Sequence, residues 1–255
     1  IANLKSNHEF IPIGRGNWHQ FISQEINDID AVIHCAYDLK HKITEDPDLI
    51  IESNVLTTTQ LLKYIKKNRI PKLIFISSCA VYGSNSDTNE NNDELPESIN
   101  GIVKLLNERI ISDFCENSKI NYTILRVFNL YGGDDHFSVI NHLFNSLKSG
   151  NPFTLNNNGI SRRDFIHVGD VARVILKVLE SQIDHRLLNV GTGKSVSISE
   201  IVQFISLTKP LTIAESSSPE IEYSRANIAK LRTFYTDAFI DIFEYLELEL
   251  KKRFK

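Results

Sequence analysis

Residues 72–104 read KLIFISSCAVYGSNSDTNENNDELPESINGIVK. The unbroken apolar run Leu73-Ile74-Phe75-Ile76 has the length of a strand buried on both faces of a parallel sheet. Ser77 and Ser78 close that run, and a polar loop rich in Asn, Asp and Glu covers residues 84–98. A helical pattern then runs from Ile99 to Asn117, with Lys104 near its start. A hydroxyl at the carboxyl end of a strand and a lysine on the next helix meet in the crevice where open α/β sheets bind ligands. This stretch therefore predicts an α/β fold with a parallel sheet.

Upstream, Asp30 to Ala36 reads as another strand, and Asp48 to Lys67 as one long helix with Ile51, Val55, Leu61, Leu62 and Ile65 on its buried face. His34 is read as a packed strand histidine rather than a base. Earlier still, His8 to Ile13 predicts a strand that turns at Gly14-Arg15-Gly16, and residues 1–7 the tail of a helix. Downstream, strands are expected at Asn121 to Val127, Asn151 to Leu155 and Leu187 to Val190. Helices are expected at Phe137 to Gly150 and Val171 to Ser181. Asp170 is read as capping or orienting the second of these helices. Ser197, with Glu200 three residues on, predicts a capping box at the start of a further helix.

The chain has 255 residues, 42% of them hydrophobic and 24% charged, enough to bury a sizeable core in one large domain or two interleaved lobes. A net charge of -4 gives no electrostatic footprint for nucleic acid. No apolar run approaches the length of a membrane span, and no signal peptide is visible. Cys35, Cys79 and Cys115 lack metal-ligand spacing and are read as reduced thiols of a cytoplasmic protein, with no metal expected.

Several of these segments together resemble the extended short-chain dehydrogenase/reductases, the family of NAD(P)-dependent nucleotide-sugar epimerases, dehydratases and ketoreductases. The resemblance rests on Ser78-Cys79-Ala80-Val81-Tyr82-Gly83 after the apolar strand and on the strand ending His34-Cys35-Ala36. It also rests on Asn54-Val55-Leu56-Thr57-Thr58 and on Arg126-Val127-Phe128-Asn129-Leu130-Tyr131-Gly132. The most specific segment is Gly159 to Ala172, with Arg163-Asp164-Phe165-Ile166-His167 at its centre. The resemblance implies a Rossmann-like doubly wound parallel sheet with a smaller interleaved substrate lobe. The dinucleotide-binding lobe would take residues 1–127 and about 164–191, the substrate lobe 128–163 and 192–255. A first strand and a Gly-rich phosphate turn would precede residue 1, so the natural chain is expected to begin earlier.

The family's chemistry is hydride transfer between a nicotinamide and a sugar carbon. The resemblance implies Ser78 and Lys104 as catalytic residues, with Lys104 also holding the nicotinamide ribose. Ala36 would let the backbone approach the cofactor, and Arg126 is read as an ion-pair residue within the fold. Asn129 and Arg163 would bind a nucleotide-diphosphate sugar, the guanidinium gripping phosphate oxygens. Gly14-Arg15, with no acid at that strand end, tilts the cofactor from NAD toward NADP; the other reading of Arg15 is a solvated loop arginine. The helices at 48–67 and 99–117 would pair in a homodimer.

One position departs from the pattern. The family's Tyr-x-x-x-Lys reads Asn100-Gly101-Ile102-Val103-Lys104 here, and an amide does not titrate. Either the tyrosine is replaced, or residues are missing between Asn100 and Gly101. Dehydratases of the family carry Asp-Glu after the active-site hydroxyl; Cys79 and Ala80 stand there, which argues for epimerisation or 4-keto reduction over dehydration. Two other readings remain beside an active enzyme: a catalytically degenerate binder of nucleotide sugar, and a cofactor-sensing or scaffold protein on the same fold.

Overall fold

The computed structural model describes residues 7–24, 28–38, 47–85, 87–133, 135–181 and 185–254. The chain divides into two compact units. The first comprises residues 1–83, 94–126 and 175–188, the second residues 84–93, 127–174 and 189–255. These boundaries differ from the sequence reading at residues 84–93, 127, 164–174 and 189–191, which group with the second unit. The cause is strand pairing within that unit. Phe165–His167 lies parallel to Asn129–Tyr131, and Asp87–Thr88 lies parallel to Arg225 and Ala226.

The first unit is built on a four-stranded sheet in the order Val32–His34, Lys72–Ser78, Asn121–Val127, Leu187–Val190. The first two strands run parallel, with His34 opposite Phe75. Leu73, Ile74 and Phe75 are all buried, as their continuous apolar run requires. Leu61, Leu62 and Ile65 of helix Thr57–Lys67 pack against Leu73, Phe75 and Ile124 in one core cluster, with Ile111 and Cys115 of helix Ile99–Ser118.

The expected helix over 48–67 is not uniform. An α-helical turn at Pro47–Ile50 gives way to a π-helical segment Ile51–Leu56 before the α-helix resumes at Thr57. Asn54 and Thr57 account for the wider winding. Asn54 Nδ2 donates to Ile50 O at 3.1 Å, and the Thr57 N–H and hydroxyl both reach Glu52 O, five residues back. His8 to Ile13 forms no strand, and residues 1–6 of the expected first helix lie outside the described residues.

The second unit has its own core, built from Leu143, Phe144 and Leu147 of helix Val139–Ser149, Ile201 and Ile205 of helix Ile198–Thr208, and Leu246 and Leu250 of helix Ile242–Arg253. The capping box at Ser197 is present: its hydroxyl accepts the Glu200 N–H, and Glu200 accepts the Ser197 N–H. Asp170 does not cap a helix. It lies in the first turn of Val168–Glu180, where it accepts the Ile240 N–H and pairs with Arg173.

Candidate active site

In the first unit the carboxyl ends of the two parallel strands carry the candidates. Ser78 ends Lys72–Ser78, and its hydroxyl accepts the Ala80 N–H at 3.2 Å. The strand leads into a short 3₁₀ turn, Cys79–Tyr82. Helix Ile99–Ser118 can start close to this turn because residue 101 is glycine; a Cβ there would stand 2.4 Å from Ala80 O. The helix is continuous through Asn100 and Gly101. Asn100 is therefore an exposed residue one turn ahead of Lys104.

Lys104 is 7% exposed. Its Nζ donates to Ile76 O at 2.7 Å and lies 4.3 Å from the Tyr37 ring centroid and 5.0 Å from that of Phe75. Burial lowers its pKa to about 8. The sequence did not mark Tyr37. Its hydroxyl donates to Asn100 Oδ1 at 3.1 Å, and burial, then Asp38, raises its pKa to about 12. The available signal was a tyrosine directly after Ala36, the residue expected to approach the cofactor.

Arg15 is not a free loop cation. Its Nη2 lies 2.6 Å from Oδ2 of the buried Asp38. Ala36 is exposed just beyond the end of Val32–His34. The loop after it is held by Asn54, whose Oδ1 accepts the Asp38 N–H at 2.7 Å. Asn54 thus braces this loop. His34 is buried, with Nε2 2.9 Å from the Thr58 hydroxyl, and burial followed by the Lys104 charge lowers its pKa to about 3. It is a packed, neutral histidine.

Arg126 is an internal ion-pair residue. It is 1% exposed and lies over the Tyr82 ring. Its Nη2 bonds Glu108 at 2.6 Å and Glu94 at 2.8 Å. Glu108 also accepts the Ser77 hydroxyl, so the network anchors the end of the strand that carries Ser78.

In the second unit Asn129 and Arg163 line one cavity of about 390 Å³, together with Ser138, Phe153, Phe165 and Glu220. Arg163 Nη1 donates to Arg162 O at 3.0 Å, and Nη2 lies 3.5 Å from Glu220. Asn129 Nδ2 donates to Asp164 O at 3.2 Å, which fixes the amide at the cavity wall. Asp164 is fully buried. It accepts N–H groups from Thr192 at 2.8 Å, Gly193 at 2.9 Å and Ala226 at 3.1 Å, and the Thr192 hydroxyl at 2.7 Å. The structure thus gathers Arg15, Ala36, Ser78 and Lys104 in the first unit, and Asn129 and Arg163 in the second. Among the described residues no cluster of His, Cys, Asp and Glu could hold a metal ion, and no helix is long and apolar enough to cross a membrane.

Residues 5–191 match the sequence profile of the NAD dependent epimerase/dehydratase family. UDP-glucose 4-epimerase 4 of Oryza sativa subsp. japonica is 33% identical over 201 residues, covering 68% of this chain and 54% of the relative. The chain spans 63%, 54% and 65% of three of the curated relatives it matches. Among solved structures, a mutant UDP-glucuronic acid 4-epimerase from Bacillus cereus in complex with a UDP-fluoro sugar and NAD has a TM-score of 0.83 at 27% identity, covering 90% of this chain and 77% of that one. The NAD dependent NDP-hexosamine 5,6-dehydratase TunA has a TM-score of 0.80 at 25% identity, covering 88% and 77%.

Proposed function

The chain belongs to the NAD dependent epimerase/dehydratase family, and on that premise we propose that it modifies a nucleotide-diphosphate sugar by hydride transfer at a sugar carbon. The observation that carries this reading is the buried ammonium of Lys104 beside the ends of two parallel strands. A nicotinamide dinucleotide fits that corner. The ammonium has three N–H donors, and among the described residues one goes to Ile76 O, so donors remain for ribose hydroxyls. The bound dinucleotide would accept or supply the hydride. Ser78 would bond the reacting sugar oxygen. In the second unit, Arg163 would grip the diphosphate and Asn129 the sugar side of the substrate.

Within the family, epimerisation or 4-keto reduction is the proposed reaction type. TunA is a dehydratase of similar fold, but Cys79 and Ala80 give this chain no carboxyl acid-base pair after Ser78. The proposed cofactor is NAD or NADP. Arg15 favours the 2′-phosphate of NADP, while its pairing with Asp38 lowers the charge it can offer. The proposed assembly is a homodimer through the two helical segments of the first unit, where Ile51, Leu56, Ile102 and Leu106 are exposed. Cys35, Cys79 and Cys115 are in no disulfide, and the proposed compartment is the cytoplasm.

The test is the loss of absorbance at 340 nm when the protein meets reduced dinucleotide and a panel of UDP- and dTDP-linked 4-keto sugars. Turnover on a member of the panel supports the reading. A second reading, a nucleotide-sugar binder without turnover, is favoured by Asn100. Calorimetric binding of the sugars with no dinucleotide oxidation would establish that reading instead. Arg15→Ala is expected to weaken NADPH binding about tenfold, the loss of one charge-assisted phosphate contact, and to leave NADH binding within about twofold.

A further inference from the structure

We propose that Tyr37 supplies the proton that Asn100 cannot, delivering it from its phenol to the sugar carbonyl oxygen during reduction. The inference rests on the hydride-transfer reading above and names the acid that this reading lacks. Three observations meet at one side chain. The Tyr37 hydroxyl is fixed 3.1 Å from Asn100 Oδ1, one helical turn ahead of Lys104. The Lys104 ammonium lies 4.3 Å from the centre of the same ring. Tyr37 also directly follows Ala36, past the end of the strand that pairs with the Ser78 strand.

The chemistry follows from these contacts. An amide has no proton to give at any ordinary pH, whereas a phenol has. A phenol that loses its proton becomes an anion, and a desolvated ammonium against its ring stabilises that anion. Burial and the neighbouring Asp38 keep the resting phenol protonated, which is the form a donor needs. Among the described residues, the charged group facing Tyr37 besides Lys104 is Asp38, itself paired with Arg15. Asn100 then becomes a positioning residue that holds the resting phenol, whose O–H turns from Asn100 Oδ1 to the sugar oxygen for the transfer.

The step balances. The reduced dinucleotide gives a hydride, two electrons with one proton, to the carbonyl carbon. The C=O π bond breaks, and its oxygen takes the Tyr37 proton. A secondary alcohol, the oxidised dinucleotide and a Tyr37 phenolate result, and water reprotonates the phenolate.

Tyr37→Phe tests this because it keeps the ring on Lys104 and removes the hydroxyl. Single-turnover hydride transfer should fall about 100-fold or more, the usual loss of a positioned acid, while dinucleotide affinity read by NADPH fluorescence stays within about threefold. Turnover within about threefold of the parent overturns the proposal. A second readout needs no turnover. In protein carrying ¹³Cζ-labelled tyrosine, the resonance lost in Tyr37→Phe should shift when oxidised dinucleotide and nucleotide sugar are added together; an unmoved resonance overturns the proposal. Asn100→Tyr separates this inference from the functional reading. An inert parent made active by Asn100→Tyr leaves hydride transfer standing and refutes Tyr37. If both are inert on every keto sugar, the functional reading falls and the Tyr37 role falls with it.

Discussion

Asp164 in the second unit and Lys104 in the first are both buried charged groups, and they are buried in opposite ways. Asp164 is saturated: three backbone N–H groups and a hydroxyl, from residues 192, 193 and 226, converge on its two oxygens. Among the described residues, Lys104 meets one carbonyl and two aromatic faces. A saturated buried charge ties distant segments together and has no capacity left for a ligand. An under-coordinated one keeps unused donors, the condition of a group that waits for a substrate or cofactor.

The sharpest way to break this contrast is to remove each charge. Asp164→Ala leaves three backbone N–H groups facing an apolar methyl. Each orphaned buried donor costs on the order of 1–3 kcal/mol, so the loss should reach about 3–5 kcal/mol, read from the urea midpoint. Asp164→Asn should recover little, because its NH₂ would face other donors. Lys104→Met removes a buried charge for a chain of similar shape. Its stability should stay within about 1 kcal/mol of the parent, or rise, while dinucleotide binding is lost. Equal losses in the two variants would dissolve the distinction.

Titration gives a smaller effect of defined sign. Lys104 has a pKa of about 8 when folded, against 10.5 in an unfolded chain. Between those values the unfolded state binds more protons, so stability rises with pH across roughly 8 to 10.5. The rise should be on the order of 2–3 kcal/mol, and Lys104→Met should flatten it. His34 titrates near 3 when folded, against 6.5 unfolded. The same rule makes stability fall as pH drops from 6.5 toward 3, and His34→Gln should soften that acid limb. Urea midpoints across pH 3 to 10.5 test both signs.

The contrast also explains what could be read from the sequence. Arg126 and the Ser197–Glu200 pair were legible because the fold depends on their identity: each satisfies groups that would otherwise be buried without partners. Asn100 is exposed, so packing does not dictate what stands there. A side chain needed for chemistry alone can change without disturbing the helix beneath it. Tyr37 escaped notice for a related reason. Its contact with Asn100 spans 63 residues, and no local spacing encodes it. The π-helical segment at Ile51–Leu56 is set by Asn54 and Thr57 bonding over a face whose apolar spacing reads as ordinary helix. The strand expected at His8 to Ile13 had the right composition but finds no partner strand among the described residues. The two-residue strands of the second unit, Arg162–Arg163 and Val196–Ser197, are too short for any period to show.

The mildest test compares two helix starts, one in each unit. Ser197 is 4% exposed and exchanges bonds with Glu200 in both directions, and Glu200 is also paired with Arg162 at 3.0 Å. Ser98 caps helix Ile99–Ser118 by accepting the Gly101 N–H at 3.1 Å, but glycine has no side chain to return the bond. Ser98 is also exposed, so water can take over the Gly101 N–H when the hydroxyl is gone. Ser197→Ala should therefore cost about 1–2 kcal/mol and Ser98→Ala about 0.5 kcal/mol, each read from the urea midpoint. The glycine that weakens the second cap is the one that lets the helix start against Ala80 O. The helix that presents Lys104 has its first turn placed by backbone contact with the strand end, more than by its cap. If Ser98→Ala proved the costlier change, the cap and not that contact would be what holds Lys104 in register with Ser78.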